Sequence, residues 1–196
     1  MIGNALLHAL KYLFRLEQPE TQTTLLEQEL LEHYAQGAKT VVEIGVFEGV
    51  NSANIIQVMA SEGTFWGIDP FFPGKLGVSY SEWIAKSWVN RHKPKPKVKF
   101  IKKLSFAAVN DVPNDLDFIF IDGDHSLEGI AKDWEDWSKK VRIGGIIALH
   151  DTSVPNHNPS VANLGSYKYF NEHIKFDAHF KIVDSCDSLN VLKRVQ

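Results

Sequence analysis

The stretch Thr40–Ser52, TVVEIGVFEGVNS, decides how the rest of the chain is read. Val41, Val42 and Ile44 form a short apolar run that predicts a buried strand, broken at Gly45. A tight turn follows to Gly49, and a helix opens at Val50 or Asn51. A glycine turn between strand and helix lets backbone amides approach a ligand closely, because no β-carbon stands in the way. The turn is therefore a candidate small-molecule site.

Working outward, the same alternation recurs. After the helix to Ala60, Thr64–Asp69 (TFWGID) predicts a second strand ending in an acid, and residues 70–78 (PFFPGKLGV) predict a loop at the same end of the sheet. A helix is expected over 80–90, a strand at Val98–Ile101, a short helix at 105–110 and an apolar strand at Asp115–Asp122. Ser126–Lys140 predicts a helix with Ile130, Trp134 and Trp137 on one face, with Asp124 expected as its N-cap. Arg142–Asp151 is a further strand, ending in His-Asp, and a helix is expected over 166–174. The last two strands, near 178–184 and 188–194, are separated by Ser-Cys-Asp, too short for a crossover helix. Strands alternating with helices and closing in a hairpin predict an α/β fold: a doubly wound, mostly parallel, Rossmann-like sheet with a C-terminal antiparallel hairpin.

Before this core, Ile2, Leu6, Leu7, Leu10, Leu13 and Phe14 recur at helical spacing over 2–16. The stripe is expected to pack on its own domain; a homodimer contact or a substrate lid are the alternatives. A second helix is expected from Thr23 or Thr24, as N-cap, to Gln36, with Gly37 closing it. The 196 residues thus suit one domain, a helical extension over 1–37 followed by an α/β core over 38–196.

A net charge of −3 argues against a general nucleic-acid binder. The run Arg91–Lys103 carries seven Lys and Arg residues and no acid, but its prolines and the lack of an interleaved aromatic platform favour a solvated loop and strand. Cys186 is the only cysteine, which excludes an internal disulfide and favours a reducing, cytoplasmic setting. The apolar N-terminus lacks the basic leader and small-residue cleavage site of a signal peptide, and it is too short and polar to span a bilayer.

Ligands of open α/β sheets bind beyond the carboxyl ends of the strands. There the sequence places Glu43 to Gly49, Asp69, Asp122 to His125, and His150 with Asp151. A dinucleotide fingerprint would need glycines at 45, 47 and 50, where the chain has Gly45, Phe47 and Val50. Glu48 would also repel a pyrophosphate, so the acidic turn suits a cationic ligand.

EIGVFEGVNS, the acid at Asp69, FIFIDGDH and RIGGIIALHD together resemble the class I S-adenosylmethionine-dependent methyltransferases, and more narrowly the metal-dependent small-molecule and sugar O-methyltransferases. The resemblance implies that Glu43, Gly45, Val46, Phe47 and Gly49 hold the methionine end of S-adenosylmethionine, that Asp69 binds the ribose, and that Leu104 and Ser105 lie near the adenine. It further implies that Asp122 and Asp151 bind a divalent metal such as Mg²⁺, and that His125 is a general base beside Asp122. Where catechol-type enzymes place Asn after the second acid, this chain has Thr152, and His150 precedes it. His150 as a ligand would favour a softer metal, with a metal-free site as the alternative. The partner implied is a small hydroxyl-bearing acceptor, with Phe71, Phe72, Tyr80, His157 and Asn158 available to hold it; no nucleic acid or membrane is expected. A catalytically silent S-adenosylmethionine-binding or assembly protein is the alternative reading.

Overall fold

The computed structural model describes residues 2–74 and 77–196, with side chains from residue 5 onward. The side chain of Ile2, and Lys75 and Leu76 of the expected 70–78 loop, therefore lie outside the described residues. In chain order the elements are α1 (Ile2–Leu13), α2 (Leu25–Ala35), β1 (Thr40–Ile44), α3 (Val50–Val58), β2 (Thr64–Ile68), α4 (Tyr80–Arg91) and β3 (Lys97–Ile101). Then follow α5 (Ser105–Ala108), β4 (Leu116–Ile121), α6 (Leu127–Trp137), β5 (Val141–Leu149), α7 (Gly165–Glu172), β6 (Phe180–Cys186) and β7 (Leu189–Arg194).

The seven strands form one sheet in the order β3-β2-β1-β4-β5-β7-β6. All neighbours among β1 to β5 are parallel, and β7 inserts antiparallel to both β5 and β6. This is the doubly wound sheet that the alternating pattern predicts, with β7 as the single reversed strand. Chain order reverses direction at β1 and β4, whose carboxyl ends open the crevice where such sheets bind ligands.

Alternate residues of each central strand feed two cores. Val42, Ile44, Ile119 and Ile121 pack with Ile130, Trp134 and Trp137 of α6 and Phe170 of α7 on one face. Val41, Phe118, Phe120 and Ala148 pack with Leu31 of α2, Ile55 and Ile56 of α3 and Val89 of α4 on the other. The period-2 alternation of β1 also puts Glu43 on the face of Val41, fully buried beneath α3.

The N-terminal helix departs from its expected packing. Among its described side chains the buried positions are Ala9 and Tyr12, which meet Ile84 of α4, while Leu6, Leu7, Leu10, Leu13, Phe14 and Leu16 are exposed. Tyr12 explains the choice: its ring stacks edge-on to Trp83 at 5.5 Å and carries the Arg91 guanidinium at 4.4 Å. These contacts outweigh a leucine stripe that has no concave partner. The basic run becomes the edge strand β3, where Lys97 and Lys99 face outward and Lys102 and Lys103 pair with Glu82 and Asp111.

Candidate active site

Gly45 is where the strand gives way to the turn, and its geometry requires glycine twice over. Its φ is +88°, and a β-carbon there would lie 1.9 Å from the carbonyl oxygen of Asp122. The turn of β1 is thereby pressed against the end of β4, which brings the glycine turn and the Asp122–His125 segment together. Gly49, at φ +79°, caps α3 without a side-chain hydrogen bond, and its α-carbon faces Ala85 of α4 so closely that an added β-carbon would sit 3.0 Å from Ala85 Cα. Gly49 therefore serves helix packing, and it does not line the cavity described next.

A cavity of about 660 Å³ opens over the carboxyl ends of β1, β2 and β4, a volume in the range of small-molecule sites. Of the residues singled out in the sequence, Gly45, Val46, Phe47, Asp69, Leu104, Ser105, Asp122 and His125 line it. Phe72 does so too and is strongly exposed. Glu20, Thr21 and Gln22, from the connection between α1 and α2, contribute a wall that the sequence pattern did not single out.

Asp69 accepts the amide protons of Val46 and Phe47 on Oδ2, at 2.9 and 3.0 Å, and that of Phe71 on Oδ1, at 2.6 Å. The carboxylate thus pins the glycine turn, including Phe47 at its unusual φ of +52°. A carboxylate has about four acceptor sites, so three are taken by the protein and one remains for a ligand hydroxyl.

Glu43 does not reach the cavity. Its side chain accepts the Ser52 hydroxyl on one oxygen and leaves Oε1 buried and, among the described residues, unpartnered. Burial drives its pKa well above the ordinary value; the Ser52 bond opposes this, and the charges of Asp122 and Asp69 add to it. Glu48 also turns away: it is buried, and it accepts His8 Nε2 at 3.0 Å and the Glu20 amide at 2.6 Å. The acid expected to colour the ligand site instead straps α1 and the Glu20–Gln22 wall onto the glycine turn.

Beyond β4, Ser126 caps α6 by accepting the Gly129 amide, while Asp124 accepts the Ser126 amide. Asp124 thus forms a turn before the helix, and the N-cap expected there falls two residues later, on Ser126. His125 follows in that turn, with Nε2 3.7 Å from Asp122 Oδ1 and 3.6 Å from Asp151 Oδ2. Those separations exceed hydrogen-bond length, so the ring nitrogen is free toward the cavity while two carboxylates flank it. Ser166, at the start of α7, holds both partners: its amide donates to the His125 carbonyl and its hydroxyl to the Asp151 carbonyl. Asp151 itself sits at φ +53°, in the left-handed region that aspartate enters more readily than most non-glycine residues.

The expectation of a metal on Asp122, Asp151 and His150 meets a different arrangement. His150 is 4% exposed, with Nδ1 2.9 Å from Asp122 Oδ1 and Nε2 3.4 Å from Glu27 Oε2. Neither contact has the alignment of a regular hydrogen bond, so the pairing is electrostatic. Burial alone would lower the His150 pKa, but the Asp122 charge and contact, then Glu27 and Asp151, overcome it and raise the value to about 10. The His150 ring is buried between carboxylates of α2 and of the β4 and β5 ends, and among the described residues no group of three His, Cys, Asp or Glu side chains converges as a metal site. Thr152 likewise faces inward, donating to the Leu149 carbonyl and accepting from Asn190. The donor set as read does not fit a divalent metal.

Of the remaining acceptor candidates, Phe71 is buried against Phe100, Tyr80 packs with the Tyr12 cluster, and His157 and Asn158 are exposed away from the cavity lining. Besides the Glu20–Gln22 wall, Glu27 and Asp133 were not singled out in the sequence. Glu27 carries a readable signal, since Thr24-Leu-Leu-Glu27 is a capping box, but its contacts to His150 and Ser188 are invisible there. Asp133 lies on the apolar stripe of α6 beside Ile130, Trp134 and Trp137, and an acid in such a stripe is itself a signal.

With this geometry in place, comparison with known proteins adds the following. Residues 42–152 match the family model described as Methyltransferase domain. A protein of Dictyostelium discoideum named probable caffeoyl-CoA O-methyltransferase 1 is 29% identical over 149 residues, which are 71% of this chain and 61% of that protein. The chain thus spans under two-thirds of the length of the curated relatives it matches. Among solved structures, an O-methyltransferase from Bacillus cereus in complex with SAH superposes with a TM-score of 0.66 at 19% identity, covering 98% of this chain and 91% of that one. The O-methyltransferase TomG of Streptomyces achromogenes, in complex with SAM, gives a TM-score of 0.64 at 13% identity, with coverage of 98% and 90%.

Proposed function

Because this chain belongs to the methyltransferase-domain family, we propose that it is an S-adenosylmethionine-dependent methyltransferase that acts on a hydroxyl of a small molecule, a sugar or another polyol-like metabolite. The observation that carries this reading is a cavity that joins the Gly45–Phe47 turn, the Asp69 carboxylate and the His125 ring. The residues present fit the cofactor. Asp69 keeps one acceptor site for a ribose hydroxyl, Leu104 and Ser105 offer a wall for the adenine, and the Asp122 carboxylate faces the cavity as a partner for a positive charge. When bound, S-adenosylmethionine supplies an electrophilic sulfonium methyl group.

The chain's own work is alignment and proton removal. A hydroxyl is a weak nucleophile until it loses its proton, and His125 Nε2 is the group placed to accept that proton; the bound cofactor would supply the methyl group, its sulfur–methyl bond breaking so that S-adenosylhomocysteine leaves. Asp122 and Asp151 each lie within 4 Å of that nitrogen. The buried His150 neutralises part of the negative charge of the same two carboxylates from the opposite side. Since the donor set does not fit a metal, proton removal is assigned to His125.

The reading is tested by incubating the protein with S-adenosylmethionine labelled in its methyl group and a panel of sugars, polyols and catechols. Label is expected in an ether product, to survive exhaustive chelation, and to be lost in His125→Gln. No labelled product from any hydroxyl acceptor, with cofactor binding intact, would favour the silent binding protein instead.

A further inference from the structure

The outward face of α1 has no part in the chemistry above. Leu6, Leu7, Leu10 and Leu13 fall within about 120° of the helix surface, the width of a core-facing stripe, yet they are 38–51% exposed. Phe14 and Leu16, in the turn that follows, extend the patch and are still more exposed. The helix meets its own domain on a different face, where Ala9 and Tyr12 are the buried positions among its described side chains. A 12-residue helix is marginal by itself, and two buried side chains add little to hold it. The six apolar residues leave on the order of 500 Å² in water, the size at which a patch marks an interaction surface.

We infer that two copies of this chain pair through these faces of α1, and that the pairing holds one wall of the cavity in place. A twofold interface sets the same patch against itself, so it must be self-complementary. A leucine face meets that condition, since it brings no charge up against its like. With Trp83 beside Tyr12 and 40% exposed, the patch approaches the roughly 800 Å² that each partner of a stable interface buries. A lipid surface suits it less: helices that lie on membranes flank the apolar face with free cations, whereas Lys11 is held by Glu17 and the chain carries a net charge of −3. The same helix anchors the wall. His8 pairs with Glu17 and with Glu48 of the glycine turn, and Glu48 accepts the Glu20 amide, so Glu20, Thr21 and Gln22 line the cavity while α1 is seated. Burial of the leucine face by a second copy supplies the apolar contact that α1 lacks on its own domain.

The test is sedimentation velocity of the full chain over about a hundredfold range of concentration, beside a Leu10→Glu, Leu13→Glu double variant. Wild type is expected at twice the chain mass of 22.1 kDa, and the variant, which sets like charges against each other, at the chain mass itself. Amide hydrogen exchange over residues 5–22 should be faster in the variant by about 10-fold or more, with protection of the sheet unchanged. Both positions are exposed, so the variant should melt as cooperatively as wild type; Leu7→Gln, a milder change on the same face, should weaken the dimer by about 10-fold if it does not. Wild type that sediments as a monomer at every concentration overturns the inference without any variant, and a monomer that floats with anionic vesicles makes a lipid surface the occupant. A dimer that survives the substitutions puts the interface elsewhere and overturns it as well. A monomeric variant with unchanged exchange at 20–22 overturns the link to the cavity wall. None of these measurements uses the cofactor, so a failure of the methyltransferase reading is seen separately.

Discussion

Removing Glu27 should damage this protein more than any other single change outside its two cores, and the size of the effect follows from its contacts. The side chain is 1% exposed. It accepts the Thr24 amide at 2.8 Å, the Ser188 amide at 2.8 Å and the Ser188 hydroxyl at 2.7 Å, and it faces His150 Nε2 at 3.4 Å. Glu27→Ala orphans these donors, at about 1–3 kcal/mol for each that stays buried and unpaired. It also strips a buried imidazolium of one counter-charge, where breaking a buried pair costs about 3–5 kcal/mol. His150 keeps Asp122, and the contributions overlap, so the expected total is about 4–6 kcal/mol. That is a large part of the about 5–15 kcal/mol that holds a typical domain together, and it corresponds to a fall in Tm of about 10–20 °C.

Glu27→Gln keeps the shape and an acceptor oxygen but removes the charge, so it isolates the ion pair. Urea unfolding of wild type, Glu27→Gln, His150→Phe and the double variant closes a cycle. With His150 cationic, the coupling should be about 1.5–3 kcal/mol, the double variant being less damaged than the sum of the single ones. Effects that add to within about 0.5 kcal/mol would refute the charged pairing of α2 with the end of β5.

Three further outcomes follow from other contacts. His125→Gln should lower turnover by about 10²–10⁴-fold while leaving S-adenosylhomocysteine affinity unchanged, because the ring is assigned to proton transfer and not to cofactor binding; parallel kinetics and calorimetry check this. Gly45→Ala forces a β-carbon to 1.9 Å from the Asp122 carbonyl at a φ of +88° and should cost about 3–5 kcal/mol in denaturant, displacing the glycine turn from β4. Glu43 has a folded pKa raised by burial, so its contribution is fully present below the unfolded value near 4.5 and is lost as pH rises through the folded value. Glu43→Gln should therefore flatten the alkaline side of the stability profile, as thermal melts across pH would record.

The sheet was legible because each central strand is an apolar run bounded by glycine or an acid, and because Ser185-Cys186-Asp187 leaves no length for a crossover. The site's frame was legible for the same reason: the residues after β1, β2 and β4 must meet at one end of a parallel sheet. What could not be read was the direction of individual side chains. Glu48 lies in the turn but is claimed by His8 and the Glu20 amide, and Phe71, next to the cavity, is drawn under Phe100. Glu27 and Ser188 are 161 positions apart, and Asp133 and Ser105 are 28 apart, so no local pattern joins them. The α1 stripe misled for a related reason: a leucine row shows that a face can bury itself, not that a complementary surface exists, and Tyr12 found one first.

The central claim, that the cavity over Gly45, Asp69 and Asp122 receives S-adenosylmethionine, meets its most direct test in calorimetric titration of the folded chain with that cofactor. The account predicts saturable binding at one site per chain, competed by S-adenosylhomocysteine and abolished by filling the cavity with Val46→Trp in a variant that still melts cooperatively. Absence of binding by wild-type protein with an intact cooperative melt would contradict it.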